Sequence, residues 1–456
     1  MVSTPTRHPR RKPALRPHPV AKRSTPTTQA ESSPGPAVVE PPPERTGLVG
    51  KFVRLWRFLE GSDKQTSGSS YYMILGATLA LTAIGLMMVL SASSVESIAK
   101  AASSVEPTDE GAIVFDFFFK QSMYAVLGVV MMLVLSRFGP RMFKILAWPG
   151  LGVAVVLLVL VLIIGESING NQNWIRIGNQ SLQPSEPAKL ALALWCATVL
   201  ERKRGLVRDW KHALVPVLPL GGVILLLVML GGDLGTAIIL GMIIAAALFF
   251  AGAPMRMFIL LGVVGIAAAF GATLLNSTRS TRIEAWLRLN CESALDPCFQ
   301  SNQGLFALAS GGWWGVGIGQ SRQKWNWIPE AHNDFIFAII GEEFGLVGTL
   351  VVIILFGILA VATLRVARRY TDPFVRILMG SIMVWLIGQA FVNIGMVTGV
   401  LPVIGVPLPF ISYGGSALTF TLAAVGVLLA FARRMPPAVP EPAQIASSME
   451  KSKRTP

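Results

Sequence analysis

Apolar runs long enough to cross a bilayer recur along this chain from residue 71 to about residue 432. A transmembrane helix needs about 20 apolar residues, since each adds about 1.5 Å against about 30 Å of hydrocarbon. Ten stretches meet or approach that length: 71–92, 121–136, 145–165, 187–200, 213–231, 234–253, 257–275, 334–364, 374–398 and 411–432. The fourth is short and carries Lys189. Hydrophobic residues make up 52% of the 456 and charged ones only 14%. Soluble domains are about a quarter charged, so an ordinary soluble enzyme is excluded. The expected fold class is an all-α polytopic membrane protein of about ten transmembrane helices.

The net charge of +14 invites a nucleic-acid reading, but its distribution argues otherwise. With a cytoplasmic N-terminus, the inner segments (1–70, 137–144, 201–212, 254–256, 365–376 and 433–456) hold a net +20 and the remainder −6. Lys and Arg concentrate in cytoplasmic loops of membrane proteins. The excess therefore orients the chain, with both termini inside and no nucleic-acid partner expected. Two outer loops are long, 93–120 and 276–333, the latter joining the seventh and eighth spans. Cys291 and Cys298 fall in the second, on the oxidising side, as a local disulfide or as two free thiols. Cys196 lies in a span and reads as a small apolar filler.

The ends read differently. Residues 1–70 form a basic, Pro-rich tail whose composition cannot bury a core, and no apolar stretch makes its start a signal peptide. Within it, residues 48–59 place Leu48, Val49, Phe52, Leu55, Trp56 and Leu59 on one helical face opposite Lys51, Arg54 and Arg57, a pattern that fits either a helix on an anionic membrane surface or a solvated linker with chance periodicity. Residues 71–434 form the membrane domain, and 435–456 a second cytoplasmic tail.

Familiar engines are absent from the sequence. Gly50-Lys51 lacks the rest of a phosphate loop, and no HExxH occurs. What remains is a set of ionisable residues in or at the outer edge of the spans, where charge is costly and functional by default. Glu186 and Lys189 are three apart at the start of the fourth span, able to pair or to wall a cavity. Asp233 stands at a Gly-rich turn and is suited to cap the sixth span. Around the eighth span lie Glu330, His332, Asn333 and Asp334, followed by Glu342 and Glu343. Asp334 is expected in or near the first turn, placed to act as a general base. The two glutamates need partners, with Lys189 and the outer arginines available. Finally, Pro402, Pro407 and Pro409 among repeated glycines forbid continuous helix over 399–414; the segment, which carries Ser412 and leads to Ser416, is read as re-entrant and cavity-lining, with an ordinary outer loop as the alternative.

Here the chain resembles a known family. PEAHNDFIFAIIGEEFGLVG (329–348) and GVLPVIGVPLPFISYGGSAL (399–418) closely resemble signature segments of the SEDS (shape, elongation, division, sporulation) family. QPSEPAK (183–189), DLGT (233–236) and QGLFALASGGWWGVGIGQSRQKW (303–325) resemble further blocks in the same order. Asn333, where many members have Thr, the loop that carries Cys291 and Cys298, and the long Pro-rich basic N-terminus resemble actinobacterial members. Gly231-Gly232 replaces a frequent Gln-Pro, and Asn173 stands where Arg is common, which puts a phosphate contact there in doubt.

The resemblance implies a peptidoglycan glycosyltransferase that polymerises lipid II at the outer face of the cytoplasmic membrane, at the division septum. It implies Asp334 as the catalytic residue. Undecaprenyl diphosphate would leave, with Arg176, Lys189, Arg282, Arg322 or Lys324 as the outer-side cations that could meet its charge; the resemblance also implies dependence on Mg²⁺ or Mn²⁺, with no ligand set readable in the sequence. Glu186, Glu330, His332, Ser412 and Ser416 complete the expected substrate-binding set, while Asp233, Glu342 and Glu343 are read as structural. Expected partners are a class B penicillin-binding transpeptidase, other division proteins and the bilayer. A lipid II transporter and a non-catalytic division scaffold are the alternatives.

Overall fold

The computed structural model describes residues 66–103, 115–168, 171–178, 180–274, 277–289, 297–325, 328 and 331–436. The amphipathic stretch at 48–59, most of both tails, Cys291 and Glu330 lie outside the described residues. In chain order the helices are α1 (Thr66–Ser103), α2 (Asp116–Leu135) and α3 (Pro140–Ile164), then α4 (Ser185–Arg202), α5 (Trp210–Leu230) and α6 (Leu234–Ala251). There follow α7 (Met255–Leu274), α8 (Ser277–Trp286), α9 (Pro297–Ser310), α10 (Ile336–Arg369), α11 (Pro373–Val397) and α12 (Gly415–Ala432).

Each expected span overlaps one of these helices. Seven of the described helices are long and apolar enough to cross a membrane: α1, α2, α3, α6, α10, α11 and α12. The apolar parts of α5 and α7 are shorter, Val217–Leu230 and Met255–Gly265. Boundaries follow local chemistry. Asp209, Asp233 and Asp372 each accept a hydrogen bond from a backbone N–H of the helix they precede, at α5, α6 and α11. Such caps satisfy donors that a helix start leaves open.

Burial separates a centre from a rim. In α4 and α12 nearly every side chain is buried, so neither shows an amphipathic stripe, as expected of helices enclosed on all sides. Helix α12 packs on α2, α11 on α6, α3 on α4, and α10 on α1. Exposed valines, leucines and isoleucines line α2, α3, α5 and α7, the surface that hydrocarbon would cover.

Two features were not foreseen. Between α3 and α4, residues Glu166–Ile168 (β1), Asn171–Ile177 (β2) and Gln180–Leu182 (β3) make a small antiparallel sheet in that order, pairing Glu166 with Trp174 and Ile175 with Leu182. These strands are too short for alternation to stand out beside the flanking apolar runs.

The second is a break inside α10 at Gly345 (φ 66°, ψ −162°). Helical hydrogen bonds from Leu346 and Val347 to Glu342 and Glu343 are replaced there. Leu346 and Val347 N–H instead donate to Gly312 and Trp313 oxygens (2.9 and 3.2 Å), while Val316 and Gly317 N–H donate to Glu342 and Glu343 oxygens (2.9 and 3.1 Å). All four backbone groups opened by the break are thus satisfied by residues 312–317. A Cβ at Gly345 would lie 2.5 Å from Gly315 N and 2.6 Å from Trp313 O. Gly345→Ala is therefore expected to cost about 2–4 kcal/mol through strain and displacement of that loop. A lowered thermal midpoint in detergent checks it; an unchanged midpoint would refute it.

Candidate active site

The centre of the site is a five-residue turn, 331–335, immediately before α10. Asp334 lies in this turn, two residues before the first helical residue rather than inside the helix. Three successive carbonyls of the turn are held from outside it. Tyr413 N–H donates to His332 O (3.0 Å). Ser412 Oγ donates to Asn333 O (2.7 Å), and Asn393 Nδ2 donates to Asp334 O (2.9 Å). The backbone is fixed while the Asp334 side chain stays half-buried. Gly405, in the left-handed region at φ 71°, brings a second loop against it: a Cβ there would stand 3.5 Å from Asp334 Oδ2.

That second loop is the proline-rich segment 399–414, which is non-helical, with Val406, Leu408, Phe410 and Ile411 buried. Non-helical backbone among spans survives where its polar groups find protein partners. Here Asn393 Nδ2 donates to Val406 O (2.7 Å) and Gln389 Nε2 to Pro407 O (2.9 Å). Leu408 N–H donates to Ser412 Oγ (2.7 Å). Gln121 Nε2 donates to Ser412 O, and Gly414 N–H to Gln121 Oε1, both at 3.2 Å. Asn393 therefore ties the turn of Asp334 to the segment that faces it.

Glu186 and Lys189 pair at 2.9 Å and are each only 2% exposed. Lys189 Nζ also donates to Gln389 Oε1 (3.2 Å) and stands 5.1 Å from the centre of the Trp385 ring. Gln389 continues the connection to Pro407. A buried polar column runs from α4 through α11 to the loop facing Asp334, and Lys189 is a member of it.

A separate cluster holds the outer loop. Lys324 Nζ contacts Glu343 Oε1 (3.4 Å), Ser91 Oγ (3.2 Å) and Gly319 O (2.8 Å), and Ser91 Oγ donates to the same glutamate oxygen (2.6 Å). Glu342 accepts from Ser321 Oγ and from the N–H groups of Arg322 and Gln323 (3.0 and 3.3 Å). The glutamates thus find Lys324 and loop donors, rather than Lys189 or an arginine. Arg322 contributes its backbone N–H to Glu342 rather than its guanidinium.

The remaining expected residues divide by position. Asp233 caps α6 through Thr236 N–H (2.8 Å) and accepts from Gln183 Nε2 (3.2 Å). Ser416 Oγ accepts from Gln183 N–H (3.2 Å). His332 is buried, edge-on to Phe117 and Tyr413. Arg176 lies exposed on β2, paired with Glu166 at 3.2 Å; Arg322 is exposed, and Arg282 half-buried on α8. Cys298 is disulfide-bonded, whereas Cys196 is free and buried. Sequence reasoning passed over Gln121 and Gln389 and gave Asn393 no role. The usable signal was Gln389 and Asn393 four residues apart in an apolar span, hence on one face.

Fold and site together define a polytopic helical membrane protein whose half-buried carboxylate is framed by a non-helical, protein-enclosed segment. The chain belongs to the FtsW, RodA and SpoVE family: residues 71–435 match the family model described as cell cycle protein. It is 39% identical over 374 residues to a probable peptidoglycan glycosyltransferase FtsW of Mycobacterium tuberculosis, covering 81% of this chain and 69% of that one. Stage V sporulation protein E of Bacillus subtilis is 37% identical, with 82% and 99% covered. Among solved structures, a chain of a peptidoglycan synthase complex that coordinates polymerization and crosslinking superposes with a TM-score of 0.63 at 28% identity, covering 79% of this chain and 97% of the other. Rod shape determining protein RodA of Thermus thermophilus gives 0.57 at 27% identity, covering 80% and 97%.

Proposed function

We propose that this chain is a peptidoglycan glycosyltransferase that polymerises lipid II during septal wall synthesis, with its site on the outer face of the cytoplasmic membrane and both termini inside. Relatives bearing that enzyme name support the reading. The observation that carries it is Asp334, a half-buried carboxylate on a backbone fixed at three successive carbonyls.

Asp334 accepts the proton of the acceptor sugar's 4-hydroxyl. The resulting oxygen forms a bond to the donor's anomeric carbon with inversion, and the bond from that carbon to the diphosphate oxygen breaks. Undecaprenyl diphosphate leaves with the electron pair. Glycosidases need a second carboxyl group to protonate an alkoxide leaving group; a diphosphate is stable as an anion, so one base suffices. Its developing charge calls for fixed cations. Lys189 and Lys324 are committed to buried carboxylates, which leaves Arg282 and Arg322 for that role, together with Arg176, whose pairing with Glu166 is on the exposed surface.

Mg²⁺ or Mn²⁺ is part of the proposal. Among the described residues no cluster of three His, Cys, Asp or Glu forms a ready-made cage. Mg²⁺ commonly keeps several waters and binds largely through substrate phosphates, so the donor diphosphate would be its main ligand and Asp334 would stay available as the base. The metal would supply positive charge to the leaving group. A class B transpeptidase partner is proposed from the synthase complex among the structural neighbours.

The test supplies labelled lipid II to the purified chain, alone and with its transpeptidase. Glycan strands on a gel are expected in at least the second arm. Movement of lipid II across vesicles with no strand in either arm would replace the enzyme by a transporter, and neither result would leave a scaffold.

A further inference from the structure

Among the described residues, the most exposed large apolar side chain is Trp314, at 81%, and its neighbour Trp313 is 69% exposed. Val316 and Ile318 beside them are exposed as well. The catalytic proposal uses none of the four. Other strongly exposed apolar side chains, such as Ile163 on α3, Ile259 on α7 and Phe391 on α11, sit on membrane helices.

The position of the tryptophans along the membrane normal follows from α10. Residues 346–364 contain no charge and are followed at once by Arg365. Nineteen helical residues rise about 28 Å, close to the hydrocarbon thickness. The break at Gly345 therefore coincides with one hydrocarbon boundary and Arg365 with the other. Residues 312–317 are stitched to α10 at that level by the four backbone hydrogen bonds described above. Leu346 and Val347, whose N–H groups donate to this loop, are themselves exposed and begin the lipid-facing stripe continued by Leu350, Val351, Ile353 and Ile354. The tryptophan patch is thus continuous with the surface that lipid covers.

We propose that residues 311–318 are an interfacial anchor, with Trp313 and Trp314 resting in phospholipid at the headgroup–acyl boundary. Indoles favour that layer because a large apolar ring and a polar N–H are both accommodated there. The bonds to the broken helix leave the anchor's backbone satisfied, so the loop enters the boundary without orphaned donors. Membrane contact would then fix the far side of the loop that Lys324 and Glu342 hold from within.

The test uses the full-length chain with Trp314→Cys, labelled with an NBD maleimide and reconstituted alone in phosphatidylcholine–phosphatidylglycerol vesicles; the parent chain reports background labelling. Quenching by 5-doxyl phosphatidylcholine is expected to exceed that at an Arg204→Cys probe, on an exposed turn, by at least about twofold, and to exceed quenching by the 12-doxyl lipid. Trp313→Cys repeats the measurement at an equally uncommitted side chain. Lipid quenching no greater than at Arg204→Cys would overturn the proposal, whether the probe is wetted or covered by protein. Stronger quenching by the 12-doxyl lipid would overturn the interfacial depth.

Discussion

Asp334→Asn is expected to lower lipid II polymerisation by about a hundred- to ten-thousandfold, the range a positioned general base contributes. The substitution keeps side-chain volume and removes the basic oxygen. It should largely preserve the fold, because Tyr413, Ser412 and Asn393 hold this turn through the main-chain oxygens of residues 332, 333 and 334, which the substitution does not touch. A thermal midpoint measured on the same sample separates lost chemistry from lost structure. Asp334→Glu retains the base but lengthens it by one methylene against the Gly405 turn, so a partial loss is expected. Wild-type rates in Asp334→Asn would remove Asp334 from the mechanism.

Lys189→Met should destabilise the protein by about 3–5 kcal/mol, since it leaves the Glu186 carboxylate buried without its cation. The damage should also reach the site. Lys189 is joined through Gln389 to Pro407 O, two residues from the glycine that faces Asp334. Pairing Lys189→Met with Glu186→Gln removes the stranded charge, and the double variant is expected to regain most of the stability. Unfolding in detergent for the two singles and the double gives the coupling. Singles that add without coupling would show that the 2.9 Å ion pair contributes nothing to folding. Polymerisation by the stable double variant then reports how much the column contributes to placing the 405–407 backbone.

Much of this site was legible as residue types in costly places. Asp334, Glu342, Glu343, Glu186 and Lys189 stand out because charge beside long apolar runs must be paired or used. The proline spacing of 399–414 by itself excludes a continuous helix there. Pairings across the chain were not legible. Lys324 meets Glu343 because the break at Gly345 admits residues 312–317 into α10, a hydrogen-bond exchange that leaves no periodic trace. The spacing of Gln389 and Asn393, overlooked in the sequence, puts them on one helical face but does not say which carbonyls they hold.

The sequence by itself determined that this is a helical membrane protein, where most of its spans run, and which few ionisable residues could carry chemistry. Those conclusions depend on composition and spacing, which act locally through hydrophobic transfer and backbone geometry. Only the tertiary structure decided which charges are spent on one another and which carboxylate stays half-open. Partner choice among buried polar groups is set by distances between segments hundreds of residues apart, and the folded bundle alone specifies them.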